Sequence, residues 1–298
     1  MAAQLRFRLM PHLLNLLRGF LMGSADVVPG VSGGTIALVL GIYERLVRAI
    51  RTGASALGSV VRGRFGEALQ RAKSVEWRFL IPLLVGIGLA IVSLAALIKH
   101  FLEEEPTNTA AVFFGLVAGS ILVAWRLVGQ WDNWRIGTGA AVAVVAFAVL
   151  GLRSEEISDP STILFFAAGA IAIIAMILPG ISGSFILLML GMYEAVLATV
   201  NDRDLLLVGV FAVGAIIGLA AFSTLLDRML RDHHDAVMAG LIGLMAGSLR
   251  VLWPWPDGTD TANLAAPSDP VVPIFLAVAG LAVVMVIARL GKPVASSQ

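Results

Sequence analysis

The chain has 298 residues, of which 58% are hydrophobic and 14% charged, and its formal net charge is +1 at pH 7. About a quarter of the residues of a soluble domain are charged, so this composition excludes a water-soluble globular protein and a disordered chain. The small net charge excludes a nucleic-acid-binding protein that relies on surplus basic charge. The lack of Cys and the scatter of the four His residues argue against disulfides and metal centres. We therefore expect an integral membrane protein that holds no metal or cofactor.

Long apolar stretches separated by short charged clusters define the predicted elements. A helix needs about 20 apolar residues to cross a hydrocarbon core, and the periodicity here is helical rather than alternating. An interrupted apolar region at 12–50 comes first, and a second one at 162–200 lies between the third and fourth of six uninterrupted spans. These spans are predicted at 79–98, 110–125, 137–152, 205–226, 236–252 and 273–290. The predicted fold class is an all-α polytopic membrane protein.

Each interrupted region contains a Pro-Gly pair in the middle of apolar sequence. Pro29 and Pro179 lack a backbone donor, and the glycines that follow them, Gly30 and Gly180, loosen the chain further. Irregular backbone at membrane depth is tolerated where it is buried in protein or lines a polar cavity. We therefore predict two re-entrant hairpins of paired half-helices, at 12–28 with 33–50 and at 162–178 with 182–200. The second region is longer and more apolar, so two complete spans are an alternative there.

Basic residues are distributed unevenly between the two sides that these spans define. If the N-terminus is inside and each interrupted region returns to the side it left, 17 of the 21 Lys and Arg residues lie inside and four outside. Because positive side chains resist export, both termini are expected in the cytoplasm. The basic segment 52–78 is then cytoplasmic, where it either contacts anionic lipid of the inner leaflet or forms a solvated loop.

The most informative pattern is an internal duplication. Residues 29–44 read PGVSGGTIALVLGIYE and residues 179–194 read PGISGSFILLMLGMYE, an offset of 150. A second repeated segment follows, which reads GLVAGS in the first half and GLMAGS in the second. The duplication divides the chain into two halves that each hold one interrupted region and three spans, 1–152 and 153–298. Each interrupted region returns to the side it left, whereas three spans end on the opposite side. The second half therefore enters the membrane in the opposite orientation, which predicts an inverted-topology repeat of the kind found in many secondary transporters.

A half-helix that starts after each Pro-Gly pair would direct free backbone N–H groups into the space between the hairpins. Such groups, the positive helix end and nearby hydroxyls favour an anion, above all phosphate. The sequence therefore predicts two phosphate cradles, formed by Ser32, Gly33, Gly34 and Thr35 in the first copy and by Ser182, Gly183 and Ser184 in the second. The alternative is that these small residues serve tight helix packing in lipid.

Four charged residues are candidates for substrate or proton coupling near the breaks. Asp26, Glu44 and Glu194 are the nearest acidic residues, and a carboxylate in an apolar site can carry a proton. Glu44 adjoins an arginine, whereas Glu194 lies deeper in an apolar run and is the better proton candidate. Arg18 could pair with Asp26 or with a phosphate. Arg126, near the end of a span, is expected to extend toward the lipid headgroups.

The run Gly30-Val31-Ser32-Gly33-Gly34 also matches the G-x-S-x-G pattern of serine hydrolases. A nucleophilic serine needs a base, and no His or Lys lies within a predicted span. The second copy repeats the motif almost completely, again without a base. We therefore expect a protein that is not an enzyme, with an intramembrane serine hydrolase as a remote alternative.

The duplicated PGVSGGT and LPGISGS segments, each followed by G-x-Y-E, resemble the polyprenyl-phosphate transporter family called PopT, a prokaryotic membrane family. The resemblance runs from about Leu16 to Arg289. It implies a flippase that returns undecaprenyl phosphate, a carrier lipid of cell-envelope synthesis, from the outer to the inner leaflet of the cytoplasmic (inner) membrane. The second copy departs from the first at Ser184 and Phe185, where the first has Gly34 and Thr35. A transporter or channel for a small soluble anion is the alternative.

Overall fold

The computed structural model describes residues 2–28, 30–256 and 264–290, and these residues form helices and connecting turns with no β-strand. Their helices are α1 Ala2–Asp26, α2 Gly33–Val39, α3 Tyr43–Val61, α4 Phe65–Ser74, α5 Trp77–Glu104, α6 Pro106–Trp125, α7 Asn133–Val149, α8 Thr162–Ile177, α9 Gly183–Met189, α10 Tyr193–Asn201, α11 Leu205–Asp232, α12 His234–Ser248 and α13 Val271–Leu290. A 3₁₀ turn, Leu249–Leu252, extends α12. The predicted all-α membrane fold is confirmed.

Among the described residues, five helices are long and apolar enough to cross a membrane: α5, α6, α11, α12 with its 3₁₀ turn, and α13. Each of them contains one of the predicted spans. The sixth predicted span, 137–152, is α7, which has 17 residues and ends at Val149. At 1.5 Å per residue α7 is roughly 25 Å long, slightly shorter than a typical hydrocarbon core.

The interrupted regions are broken twice rather than once. The first break separates α1 from α2 and α8 from α9. Pro29 lies outside the described residues, but Gly30 and Gly180 have φ angles of +85° and +89°, in the left-handed region that only glycine adopts readily. The chain therefore reverses at the predicted Pro-Gly positions.

A second turn, which the sequence prediction missed, ends each short helix after seven residues. Gly41 and Gly191 both have a φ of +67°. After Gly41 the Ile42 N–H donates to the Ala37 carbonyl at 2.9 Å, a common helix ending. Continuous half-helices at 33–50 and 182–200 are thus wrong, because a left-handed glycine stops each one. The axes of α9 and α10 differ by 113°, in keeping with a re-entrant hairpin.

The basic segment 52–78 is helical rather than the expected loop. α3 continues to Val61, and α4 packs against it. The apolar side chains of Val61 and Phe65 are 82% and 69% exposed. The segment therefore carries apolar surface as well as basic charge.

Glycines bring four pairs of helices into close contact: α1 with α5, α8 with α11, α6 with α13, and α12 with α7. A Cβ at Gly19, Gly214, Gly115 or Gly243 would overlap a backbone carbonyl of the partner helix in these four pairs respectively. Small residues allow such close approach in lipid. The second span of each half thus packs against the third span of the other half.

One end of the bundle, called the basic end below, is held by ion pairs. There Arg45 contacts Glu76 at 2.5 Å, joining the starts of α3 and α5. Arg51 contacts Asp227 at 2.5 Å, joining α3 to the end of α11. Asp227 is 4% exposed, and a buried carboxylate requires such a partner. These pairs connect α3 to two of the membrane-spanning helices.

Candidate functional site

The two hairpins meet at their first breaks, where side chains of one bond to backbone groups of the other. The N–H of Gly180 donates to Oγ1 of Thr35 at 2.8 Å, and both residues are buried. The Ser32 hydroxyl donates to the Met176 carbonyl at 3.2 Å. Ser32 and Thr35, two residues predicted for the first phosphate cradle, therefore connect the hairpins.

Tyr43 provides a further connection that the sequence analysis missed. Its hydroxyl donates to the Ile177 carbonyl at 3.2 Å, and the residue is 4% exposed. Met176 and Ile177 end α8, and the last carbonyls of a helix lack partners within it, so Ser32 and Tyr43 satisfy them. The signal was present in the sequence, because the only two tyrosines of the chain are matched across the repeat. The other, Tyr193, is 36% exposed.

The amides of the first cradle are occupied by acceptors from the chain itself. The Gly33 N–H donates to Oδ1 of Asp26 at 2.6 Å. The Gly34 N–H donates to the Ser32 hydroxyl at 3.0 Å, and the Thr35 N–H to the Ser32 carbonyl at 2.9 Å. The expectation of free amides is not met here, because the Asp26 carboxylate already lies at the positive end of α2.

Met176 takes the place in the second hairpin that Asp26 takes in the first, at the same offset of 150 residues. A Cβ added to Gly183 would lie 2.7 Å from Cγ and 3.1 Å from Sδ of Met176, while one added to Gly33 would meet the Asp26 carboxylate. Each side chain thus covers the start of its short helix. A thioether is only a weak acceptor, so the two starts differ chemically.

The second cradle keeps amides without an internal acceptor. In the described part of the chain no group accepts a hydrogen bond from the N–H of Gly183 or Ser184. The hydroxyls of Ser182 and Ser184 lie 2.8 Å apart and bond to each other. Ser182 is 5% exposed, and Ser184 is exposed. The two copies therefore differ in whether the chain itself supplies acceptors for these amides.

A cavity of about 460 Å³ extends to the first break of the first hairpin. Asp26, Gly33 and Gly34 of the first break line it, and most other lining residues are apolar residues of α3, α5, α8 and α11. Between α5 and α11 the lining residues Leu84 and Ile216 are 58% and 46% exposed. The cavity therefore opens sideways between two spans and can hold an apolar chain whose polar end lies near the break.

The turns at Gly41 and Gly191, called the first and second corner, differ in exposure. Gly41 is exposed beside a cavity of about 540 Å³ at the basic end. Gly191 is buried, and a Cβ there would overlap the Glu155 carbonyl. The Ile157 N–H donates to the Gly191 carbonyl at 3.0 Å, so the segment after α7 covers this corner. The first corner is therefore open beside a cavity, and the second is covered.

The other predicted charged residues lie apart from the breaks. Glu44 is at the basic end, where Nε2 of a histidine in α12 lies 3.1 Å from its Oε1. Glu194 is exposed in the first turn of α10, so the expectation that it lies deeper than Glu44 is not met. Arg18 donates to Oδ1 of Asn15 at 3.1 Å rather than to Asp26. Of these four residues, Asp26 alone bonds to a cradle residue in the described structure.

Ser32 is not placed as a nucleophile. It is 1% exposed, and its hydroxyl is used in bonds to the Met176 carbonyl and the Gly34 amide. A carbonyl oxygen does not serve as the general base that a serine hydrolase needs. The environment of Ser32 therefore argues against the serine-hydrolase alternative.

The chain is similar to known membrane transport proteins over most of its length. The sequence model of a family described as undecaprenyl phosphate translocase-like (VCA0040-like) matches residues 22–267. A protein of Vibrio cholerae serotype O1 (strain ATCC 39315 / El Tor Inaba N16961), named polyprenyl-phosphate transporter, is 41% identical over 83% of this chain and 80% of its own length. A protein of the same name from Staphylococcus aureus (strain NCTC 8325 / PS 47) is 30% identical over 81% of this chain and 86% of its own. No solved structure matches the chain.

Proposed function

Because the chain belongs to the undecaprenyl phosphate translocase-like family, we propose that it transports polyprenyl phosphate across the cytoplasmic membrane of a prokaryotic cell. Both relatives carry the name polyprenyl-phosphate transporter. In its finer form the proposal is a flippase that returns undecaprenyl phosphate from the outer to the inner leaflet, where the carrier lipid is reused. The basic end then faces the cytoplasm, as the charge bias predicts.

The single observation that supports a lipid as the substrate is the sideways opening of the cavity between α5 and α11. The isoprenoid tail of such a lipid stays in the bilayer while its phosphate crosses, so the path needs an apolar slot at its side. The exposed Leu84 and Ile216 at the opening, with Asp26 and Gly33 farther in, provide that combination. A small soluble anion, the alternative substrate, would instead favour a polar site sealed from lipid.

The arrangement of the helices supports alternating exposure of a central site. The contact of α1 with α5 is repeated by α8 with α11, and that of α6 with α13 by α12 with α7. We infer from this recurrence that the two halves, 1–152 and 153–298, form the predicted inverted repeat. The structure then corresponds to the state open at the basic end. The converse state would expose Gly191 and cover Gly41.

We place the phosphate at the breaks, with two unequal cradles. The amides of Gly183 and Ser184 and the neighbouring serine hydroxyls would bind it directly. At the first cradle Asp26 must leave Gly33 before an anion can take its place. Protonation of Asp26 would assist this exchange, because two like charges in one site repel each other. Asp26, rather than Glu194, is therefore our candidate for proton coupling.

The helical segment 52–78 is proposed to lie on the cytoplasmic leaflet. Exposed apolar side chains such as Val61 and Phe65 would meet water in a solvated segment, but they can enter the interface of a membrane. The nearby basic residues attract anionic headgroups; they are Arg62, Arg64, Arg71 and Lys73.

Reconstitution into sealed vesicles tests the substrate. Vesicles contain a short-chain polyprenyl phosphate in both leaflets, and a phosphatase is added outside. The protein should allow hydrolysis to continue beyond the lipid of the outer leaflet, whereas hydrolysis in protein-free vesicles should stop there. The same protein should not release entrapped inorganic phosphate. Hydrolysis confined to the outer leaflet, together with phosphate release, would support the small-anion alternative instead.

A further inference from the structure

Three arginines from three helices line a second cavity at the basic end. Arg18 of α1, Arg126 after α6 and Arg289 in the last turn of α13 surround a volume of about 420 Å³. The tip of α2, with Leu40 and Gly41, forms another part of the wall. Within the described part of the chain, no carboxylate lines this cavity. The cavity is therefore strongly cationic.

Three carboxylates of the basic end are engaged elsewhere: Glu44 with His234, Glu76 with Arg45, and Asp227 with Arg51 and Arg231. Arg18 bonds to an amide oxygen, that of Asn15. No carboxylate of the described residues lies within 4.0 Å of Arg126 or Arg289. Three like charges around one space repel each other, so an anion in that space would be stabilised.

An apolar groove continues this cavity along the same helices. Its volume is about 250 Å³, and residues of α1, α2, α6 and α13 line it. Val39 and Leu40 line both the groove and the arginine cavity. At α13 the groove residue Val284 is 1% exposed, while its neighbour Val283 is 50% exposed. The groove therefore has a buried wall and an opening on the outer surface of the bundle.

A cationic cavity that continues into an apolar groove fits an amphiphile with a compact anionic headgroup. Guanidinium groups bind phosphate oxygens through paired N–H···O bonds. A phosphomonoester carries about −1.5 to −2 charges and three free oxygens, whereas a phosphodiester carries one charge and a second substituent. Extension toward the headgroups would explain Arg126 alone, but it does not explain why Arg18, Arg126 and Arg289 line one cavity.

We infer that this place is a binding site for a lipid phosphomonoester, with the phosphate between Arg18, Arg126 and Arg289 and the lipid chain in the apolar groove. The inference rests on the proposed function for the identity of the natural lipid, a polyprenyl phosphate that has reached the leaflet at the basic end. The site is lined by α6 and α13, which do not line the cavity between α5 and α11. It therefore holds the lipid outside the crossing path.

Binding measured without transport tests this site. The purified protein in phosphatidylcholine nanodiscs is titrated with dioleoylphosphatidic acid, with dioleoylphosphatidylglycerol and with inorganic phosphate, and bound lipid is counted by native mass spectrometry. Phosphatidic acid should bind at least about tenfold more tightly than phosphatidylglycerol, because its phosphomonoester can accept a further charge-assisted hydrogen bond. Inorganic phosphate should compete weakly, because it cannot use the groove.

Matched variants separate this site from general attraction to anionic lipid. The double variant Arg126→Gln with Arg289→Gln should lose the preference for phosphatidic acid. The control, Arg62→Gln with Lys73→Gln, removes the same charge from the basic end and should weaken both lipids while keeping the preference. Arg126→Lys with Arg289→Lys keeps the charge and should retain part of the preference, which also shows that substitution at these positions leaves the protein folded.

The other possible results distinguish the binding site, its assignment to a lipid and the proposed function. A preference that survives in the double Gln variant, or that is lost equally in the control, overturns the site. Competition by inorganic phosphate as strong as that of phosphatidic acid overturns its assignment to a lipid. Wild-type protein that binds phosphatidic acid selectively but does not move polyprenyl phosphate supports the site and contradicts the proposed function. Transport without selective binding contradicts the site alone.

Discussion

Asp26 and Met176 lie at equivalent positions at the ends of α1 and α8, yet one is a carboxylate and the other a thioether. Asp26 accepts the Gly33 N–H at 2.6 Å. Met176 covers Gly183, the matching glycine, with a side chain that is a poor acceptor. The two breaks are thus electrostatically unequal within a matched pair of hairpins: the first holds a carboxylate, and the second holds a thioether in its place.

Met176→Asp should remove this inequality and impair transport. Two like charges about 4 Å apart repel by about 4 kcal/mol at an effective dielectric constant of about 20, so the rate should fall by at least about tenfold, the effect of roughly 1.4 kcal/mol. Met176→Leu, which adds no charge, should transport at nearly the original rate. The measurement is polyprenyl phosphate hydrolysis in reconstituted vesicles. Equal rates for the two variants would contradict the placement of the phosphate at the second cradle.

Thr35→Val should destabilise the protein by about 1–3 kcal/mol, because the buried Gly180 N–H loses its acceptor. Thr35→Ser keeps the hydroxyl and should cost clearly less. The free energy of unfolding of the purified protein in detergent, from denaturant titration, provides the comparison. If valine and serine destabilise equally, the bond between the hairpins does not contribute as inferred.

Gly41→Ala and Gly191→Ala should differ although both glycines have the same φ of +67°. An L-residue at such an angle costs about 1–2 kcal/mol at either position. At Gly191 the added methyl would also overlap the Glu155 carbonyl, whereas at Gly41 it meets open space. Gly191→Ala should therefore displace the segment that covers the second corner.

Cysteine labelling can detect that displacement, since the chain contains no Cys. Met192, which follows Gly191 and is 3% exposed, is replaced by Cys as the reporter. Its reaction with a water-soluble maleimide should accelerate in Gly191→Ala and remain slow in Gly41→Ala. Equal labelling in both backgrounds would show that the cover does not depend on close contact with Gly191.

Leu84→Trp should narrow the opening between α5 and α11 and slow lipid transport by at least about tenfold, an increase of roughly 1.4 kcal/mol in the barrier. Val92→Trp is the matched control, because Val92 lies on the same helix, is 87% exposed and does not line the cavity. Vesicle hydrolysis rates are compared with the amount of protein inserted. If Val92→Trp slows lipid transport and Leu84→Trp does not, the lipid path lies elsewhere.

The sequence was sufficient for the spans and the place of each first break. Lipid leaves a backbone no partners other than its own, so long apolar runs become helices whatever surrounds them, as in α5 and α11. Pro179 and Gly180 interrupt such a run by local chemistry alone. The match between 29–44 and 179–194 could likewise be recognised without knowing any contact.

Contacts across the molecule were beyond such reasoning. Gly41 and Gly191 occur in apolar sequence where glycine commonly serves helix packing, so nothing local identified them as left-handed ends. The acceptor of the Gly180 amide is 145 residues away in the chain, and the occupant of the first cradle is a residue of the preceding helix. That Arg18, Arg126 and Arg289 line one cavity depends on how three helices distant in sequence pack.

The hydrogen bond between Thr35 and Gly180 also limits how the molecule can move. Because it joins the bend of one hairpin to the bend of the other, a shift of either bend must carry the other along or break the bond. In the alternating exposure proposed above, the bond would therefore couple opening at one face to closure at the other. Such coupling would prevent a passage open at both faces, which would dissipate the ion gradients across the membrane.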